Sequence, residues 1–183
     1  MNQLTTSLPP TPVHPTAIPL SLLASAAQQL SDERLIATYG SGFFVLLSQA
    51  PSPRRRPHLT QELATGPDSG AILISAALPL RPRIGVMQSF LVVGRNESCD
   101  VPIFDGTVSK AHALIERVDG GYRISDCNSR NGTMVDGAAV ASRAAAPAAR
   151  LLPGCSVRFG NVLTSFVDVP RLRRLLHALA STR

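Results

Sequence analysis

An all-β fold, a sandwich or a barrel, is what the C-terminal half of this 183-residue chain predicts. Two observations lead there. From Ile84 onward, short runs rich in β-branched and other apolar residues alternate with turn signals at intervals of about 8–12 residues. The turns are also explicit: Asp119-Gly120-Gly121 and Asp136-Gly137 close hairpins, and Pro153-Gly154 and Gly160-Asn161 mark further bends. Predicted strands are Ser89–Val93, Asp100–Ile103, His112–Val118, Tyr122–Ser125, Thr133–Val135, Ala138–Val140, Ser156–Phe159 and Leu163–Val169. The Ala-rich segment Ala141–Arg150 is expected to be a surface loop. Pro170 then opens a short helix through Ala180, with Leu172, Leu175, Leu176 and Leu179 on one face.

The N-terminal part has a different texture. Residues 1–16 are rich in Thr and Pro and have no period, which predicts a disordered tail. Between Leu20 and Thr38 apolar residues recur at helical spacing, as one helix or as two short ones with Ser31 capping the second. Phe43–Leu47 is a short apolar run between turn signals, a candidate buried strand. Leu59–Ala64 and Ala71–Leu80 read as strands joined by a turn at 66–70. Too few large apolar groups occur in 20–80 for an independent core, so this extension is expected to pack on the C-terminal half.

Composition narrows the function classes without choosing one. The net charge of +6 comes almost wholly from Arg, since Lys110 is the only lysine. A basic balance suits nucleic acid, an anionic surface or a phosphorylated protein. Aromatic residues are 4% of the chain, which disfavours a base-stacking binder of single strands. Arg54, Arg55 and Arg56 form a basic cluster that reads first as a solvated loop. Cys99, Cys127 and Cys155 are odd in number and widely spaced, with neither CxxC nor metal-ligand spacing, so reduced thiols, no metal and no cofactor are expected. No apolar run reaches the roughly 20 residues of a membrane helix. Ala24-Ser25-Ala26 looks like a signal-peptidase site, but no Lys or Arg precedes it and Pro19 interrupts a short apolar stretch, so a cytoplasmic location is expected.

Four islands carry the chemistry: Gly94-Arg95, Ser109-Lys110-Ala111-His112, Asp126 through Thr133 (DCNSRNGT), and Leu152-Pro153-Gly154 followed by Phe159-Gly160. In order and spacing they resemble the forkhead-associated (FHA) family, with its GR, SxxH, DxxSxNGT and late turn-glycine and FG signatures. The resemblance spans about residues 84–169. It implies an FHA-type β-sandwich of two packed sheets, with a small N-terminal α/β extension. The expected organisation is a tail at 1–16, the extension at 17–80, the FHA domain at 81–169 and a C-terminal helix at 170–183. It also implies a phosphothreonine reader that is not an enzyme. Its partner would be a phosphothreonine-containing protein, such as a Ser/Thr kinase or a substrate of one.

By the same resemblance Arg95, Ser109 and Lys110 bind the phosphate, and Asn131 holds the main chain of the bound peptide. Arg130 stands where the family often has Ser or Thr; here it is assigned to the phosphate as an added charge. Gly94, His112, Asp126, Ser129, Gly132 and Thr133 are implied to support the site, His112 and Asp126 by bracing loops. The chemistry fits the residues. A phosphothreonine carries a charge of about −1.5 to −2 and three acceptor oxygens, which call for a fixed guanidinium, a hydroxyl and a cation. Ser109, His112 and Asp126 also have the makings of a catalytic triad, but no GxSxG elbow surrounds the serine. Two other readings stay open: an FHA scaffold that assembles without phosphate, as an oligomer or in a secretion complex, and a nucleic-acid binder using Arg54–Arg56 and the C-terminal helix. The sequence carries no signal for oligomeric state.

Overall fold

The computed structural model describes residues 17–49, 72–82, 89–145 and 147–181. Two short helices open it, α1 (Leu20–Gln29) and α2 (Asp32–Tyr39), after a two-residue strand β1 (Ile18–Pro19). Ser31 caps α2 by accepting the backbone N–H of Arg34, as its position predicts. Next come β2 (Gly42–Gln49) and β3 (Ile72–Pro79), then β4 (Phe90–Gly94), β5 (Val101–Pro102), β6 (Ala113–Val118) and β7 (Gly121–Asp126). The remaining strands are β8 (Thr133–Val135), β9 (Ala138–Ala139), β10 (Ala149–Leu151), β11 (Ser156–Phe159) and β12 (Val162–Asp168), before α3 (Val169–Ser181).

The described strands form two sheets. One has the order β1-β3-β2-β12-β11-β8-β9 and the other β10-β7-β6-β4-β5. Pairing is antiparallel except between β4 and β5. The inner faces meet in an aliphatic core around Leu91, Val93, Ile115, Ile124 and Val157, with Phe44 edge-on to Phe159 and Phe166. This is the expected two-sheet sandwich.

The strands of the N-terminal part do more than dock. β2 lies inside the seven-stranded sheet, hydrogen-bonded to β12 on one side and β3 on the other. It is buried on both faces: Phe44 enters the sandwich core, while Phe43 and Val45 face a second core under the helices. A strand covered on both sides needs a continuous apolar run rather than an alternating one. Gly42-Phe43-Phe44-Val45-Leu46-Leu47 supplies it. Leu20, Leu23, Leu35, Leu172 and Leu176 complete that second core, so the three helices roof the outer face of the larger sheet.

Two expectations need correction. Ala141–Arg150 is not wholly a loop: Ala149–Leu151 pairs with β7 as an edge strand and sends Leu151 into the core. Leu179, placed on the same face of α3 as Leu172 and Leu176, is 39% exposed while those two are buried. Residues 1–16, Arg54–Arg56, the strand expected at Leu59–Ala64 and the turn at 66–70 lie outside the described residues.

Candidate functional site

Strand register brings Gly94-Arg95, Ser109 through His112, Asp126 through Thr133 and Phe159-Gly160 to one end of the sandwich. Leu152-Pro153-Gly154, between β10 and β11, lies instead at the other end, where the Gly154 N–H donates to the Phe166 carbonyl. Val93, at the end of β4, pairs with Ala113 at the start of β6, and Ala113 pairs with Asp126 at the end of β7. In the other sheet Phe159 pairs with Thr133 and with Val162. The loops that follow β4, β5, β7 and β11 therefore emerge together.

Backbone bonds then lock the loops to one another. The N–H of Arg95 donates to the carbonyl of Ser109 at 2.8 Å, and the N–H of Asn96 to that of Lys110 at 3.3 Å. This close approach explains Gly94: a β-carbon there would stand 2.3 Å from the Lys110 oxygen. Ser109 Oγ accepts the backbone N–H of Arg130 at 3.0 Å. With that lone pair engaged, the Ser109 O–H is left to donate outward. Arg95, Lys110 and Arg130 are exposed around it, and among the described residues none of their charged heads is paired.

Beneath this surface lies a buried frame. His112 is fully buried, edge-on to Phe159. Its Nδ1 accepts the backbone N–H of Ser109 at 3.0 Å, which places the ring proton on Nε2, and Nε2 donates to the carbonyl of Gly132 at 3.1 Å. One imidazole thus ties the loop after β5 to the loop after β7. The Asp126 carboxylate accepts from the Ser129 backbone at 2.8 Å, and from the Ser129 and Thr133 hydroxyls at 2.7 Å each. Burial pushes the Asp126 carboxyl up, but these donated bonds outweigh it and hold the group below its ordinary value. Ser109, His112 and Asp126 are not arranged as a triad: His112 meets Ser109 through its backbone N–H, and both imidazole nitrogens are already engaged away from Asp126.

Asn131 is exposed, and its amide N–H donates to the carbonyl of Thr107 at 2.7 Å. Its amide oxygen faces no protein donor among the described residues. Thr107 and Asp105 are residues that the motifs did not single out. The Asp105 carboxylate accepts the hydroxyl and the N–H of Thr107, which together lower its pKa, the hydroxyl bond most. Thr107 Oγ1 in turn accepts the N–H of Asn161 at 3.0 Å, so the loop after β5 is also pinned to the turn after β11. Gly160 makes that contact possible, with φ of +58° and the Thr107 oxygen 2.5 Å from where a β-carbon would sit. The Asp-x-Thr pattern of an Asx turn was the available signal. Among the described residues no group of His, Cys, Asp and Glu could hold a metal ion, and no helix is long and apolar enough to cross a membrane.

A two-sheet sandwich whose loops gather at one end defines a module of the kind that presents a binding surface from a rigid scaffold. Residues 91–160 match the family model described as the FHA domain, and the chain is an FHA domain protein. Similar solved structures include an FHA domain analysed for phosphothreonine-dependent interactions, at 20% identity and a TM-score of 0.43, covering 71% of this chain and 99% of that one. An FHA domain from Chlamydia trachomatis is 21% identical with a TM-score of 0.42, covering 70% and 98%. The FHA-2 domain of a Mycobacterium tuberculosis ABC transporter is 32% identical with a TM-score of 0.39, covering 61% and 92%. No curated protein matches the chain.

Proposed function

We propose that this protein binds threonine-phosphorylated partners through the loop end of its sandwich, as a signalling adaptor without catalytic activity. The observation that carries the reading is the arrangement around Ser109. Its hydroxyl is anchored by the Arg130 backbone, and the exposed cations of Arg95, Lys110 and Arg130 come from three linked loops. A dianionic phosphate would receive the Ser109 O–H and the Arg95 guanidinium, with Lys110 and Arg130 adding charge. Asn131, steadied by Thr107, would use its amide oxygen and second N–H on the peptide main chain. The FHA family match supports the same role. The partner on this reading is a cytoplasmic Ser/Thr kinase or one of its substrates.

Each charge-assisted hydrogen bond to the phosphate contributes roughly 1.5–3 kcal/mol. Arg95→Ala should therefore weaken phosphopeptide binding by about tenfold to a hundredfold, with an unchanged melting midpoint. Calorimetric titration with a phosphothreonine peptide and its unphosphorylated twin measures this. Equal affinity of wild type and variant would reject the site. Binding to DNA that falls steeply with salt and ignores Arg95 would favour the nucleic-acid reading instead.

A further inference from the structure

Six phenylalanines occur in the chain. Phe43, Phe44, Phe159 and Phe166 are buried, and Phe90 is half-buried under the Arg143 guanidinium. Phe104 is 68% exposed. A lone exposed apolar side chain is common on protein surfaces. What sets Phe104 apart is how and where it is held. The Asp105 N–H donates back to the Ile103 carbonyl at 2.9 Å, so Phe104 is the apex of a three-residue turn. Both flanks of the turn are fixed. The Ile103 N–H donates to the carbonyl of Gly94, the residue before Arg95, at 2.9 Å. Asp105 is held by Thr107, whose carbonyl holds Asn131. The ring is thus a projecting group on a rigid mount, one residue from bonds that lead to both Arg95 and Asn131.

An aromatic side chain on an ordered loop gives up little conformational entropy on binding, which is why such residues serve as anchors at interfaces. Beside a site for an extended peptide, the surface it offers suits an apolar side chain a few residues from the phosphate. We propose that Phe104 selects phosphothreonine peptides carrying an aliphatic or aromatic residue at one flanking position. This rests on the phosphothreonine reading above and specifies the class of ligand.

The test uses the full chain and phosphothreonine peptides in an alanine background. A single Leu is moved from four residues before the phosphothreonine to four after it. Wild type should show one position at which Leu strengthens binding by about tenfold. Phe104→Ala should erase that gain and retain the dependence on phosphate, while Phe104→Leu should keep most of it. Phe104→Ala should also melt as wild type does, because the ring contributes little to the core. A Leu profile identical in wild type and Phe104→Ala overturns the proposal while leaving the phosphate site standing. Arg95→Ala binding every peptide as wild type does overturns the phosphate site and Phe104's role together.

Discussion

Gly94 offers the sharpest test of how the loops are assembled, because one methyl group there must act on both stability and binding. A β-carbon would lie 2.3 Å from the Lys110 oxygen, 2.9 Å from its carbonyl carbon and 3.0 Å from Ala111 Cα. All three are backbone atoms, so no side chain can swing aside. Moving the nearest contact out to 3.0 Å requires the end of β4 and the loop before β6 to part by about 0.7 Å, or the geometry of the bonds to distort equally. Added to the neighbouring pairs, that opening takes the Arg95–Ser109 bond from 2.8 Å to the edge of hydrogen-bond range and breaks the Asn96–Lys110 bond, already at 3.3 Å. Two backbone bonds at about 1 kcal/mol each, with the overpacking strain, give a cost of about 2–4 kcal/mol for Gly94→Ala. In a chain of this size the midpoint should fall by about 5–15 °C. Phosphopeptide affinity should drop at least about tenfold, since the guanidinium of Arg95 moves with its backbone. Gly106→Ala is the matched control: nothing lies within 4 Å of a β-carbon there, and its effect should stay within about 0.5 kcal/mol. Thermal melts and peptide titrations of both variants decide the matter. If Gly94→Ala melts and binds as wild type does, the close approach does not organise the site.

Two further outcomes concern groups away from the binding surface. Asp126 titrates below its ordinary value of 3.8 when folded. Its stabilising contribution is therefore complete above the unfolded value and is lost as acid carries the pH down through the lower folded one. Asp126→Asn should cost about 1–3 kcal/mol at neutral pH and flatten the loss of stability below about pH 4, read from urea unfolding across pH; a variant curve parallel to wild type in acid would contradict the assignment. Arg173 donates to the carbonyls of Ala27 and Leu30, at the end of α1, and pairs with Asp32 on α2. Arg173→Met should lower the melting midpoint by about 2–6 °C with no change in phosphopeptide affinity, because the helical roof and the loop end share no contact of these groups. A loss of affinity would show that the two are coupled.

The fold was legible where local signals and burial agree. Asp119-Gly120-Gly121 and Asp136-Gly137 sit at the turns they announce, and β8 and β11 have the predicted bounds. β10 was not legible because Ala144 through Ala149 offers neither β-branched nor large apolar residues; only Leu151 enters the core. The membership of β2 and β3 in the larger sheet was hidden for another reason. Their pairing with each other and with β12 joins residues far apart in sequence, and spacing patterns carry no information about such partners. At the candidate site, residue types named the groups that gather at one loop end, but not who holds whom. Nothing in the string Ser129-Arg130-Asn131 says that the Arg130 N–H goes to Ser109, or that Asn131 leans on Thr107.

Those unread contacts divide the work of the site into two layers. His112 and Asp126 are buried, and their polar atoms are bonded to backbone and hydroxyl groups of the loops they brace. Arg95, Lys110 and Arg130 stand outside with their heads unpaired among the described residues. Removing a buried brace leaves its partners unsatisfied and costs folding energy, whereas removing an exposed cation costs the fold almost nothing. The outer layer is therefore free to be tuned for a ligand, and the frame is not. Arg130 shows this: its backbone N–H serves the frame by holding Ser109, so its side chain can change identity without disturbing the loop. Phe104 stands in the same relation to its turn, which is closed by the backbone of Ile103 and Asp105 and would accept almost any side chain at the apex. An aromatic ring held out at that position contributes little to the fold, which is why the Leu-scanned peptides and Phe104→Ala are the measurement that decides whether it serves a partner.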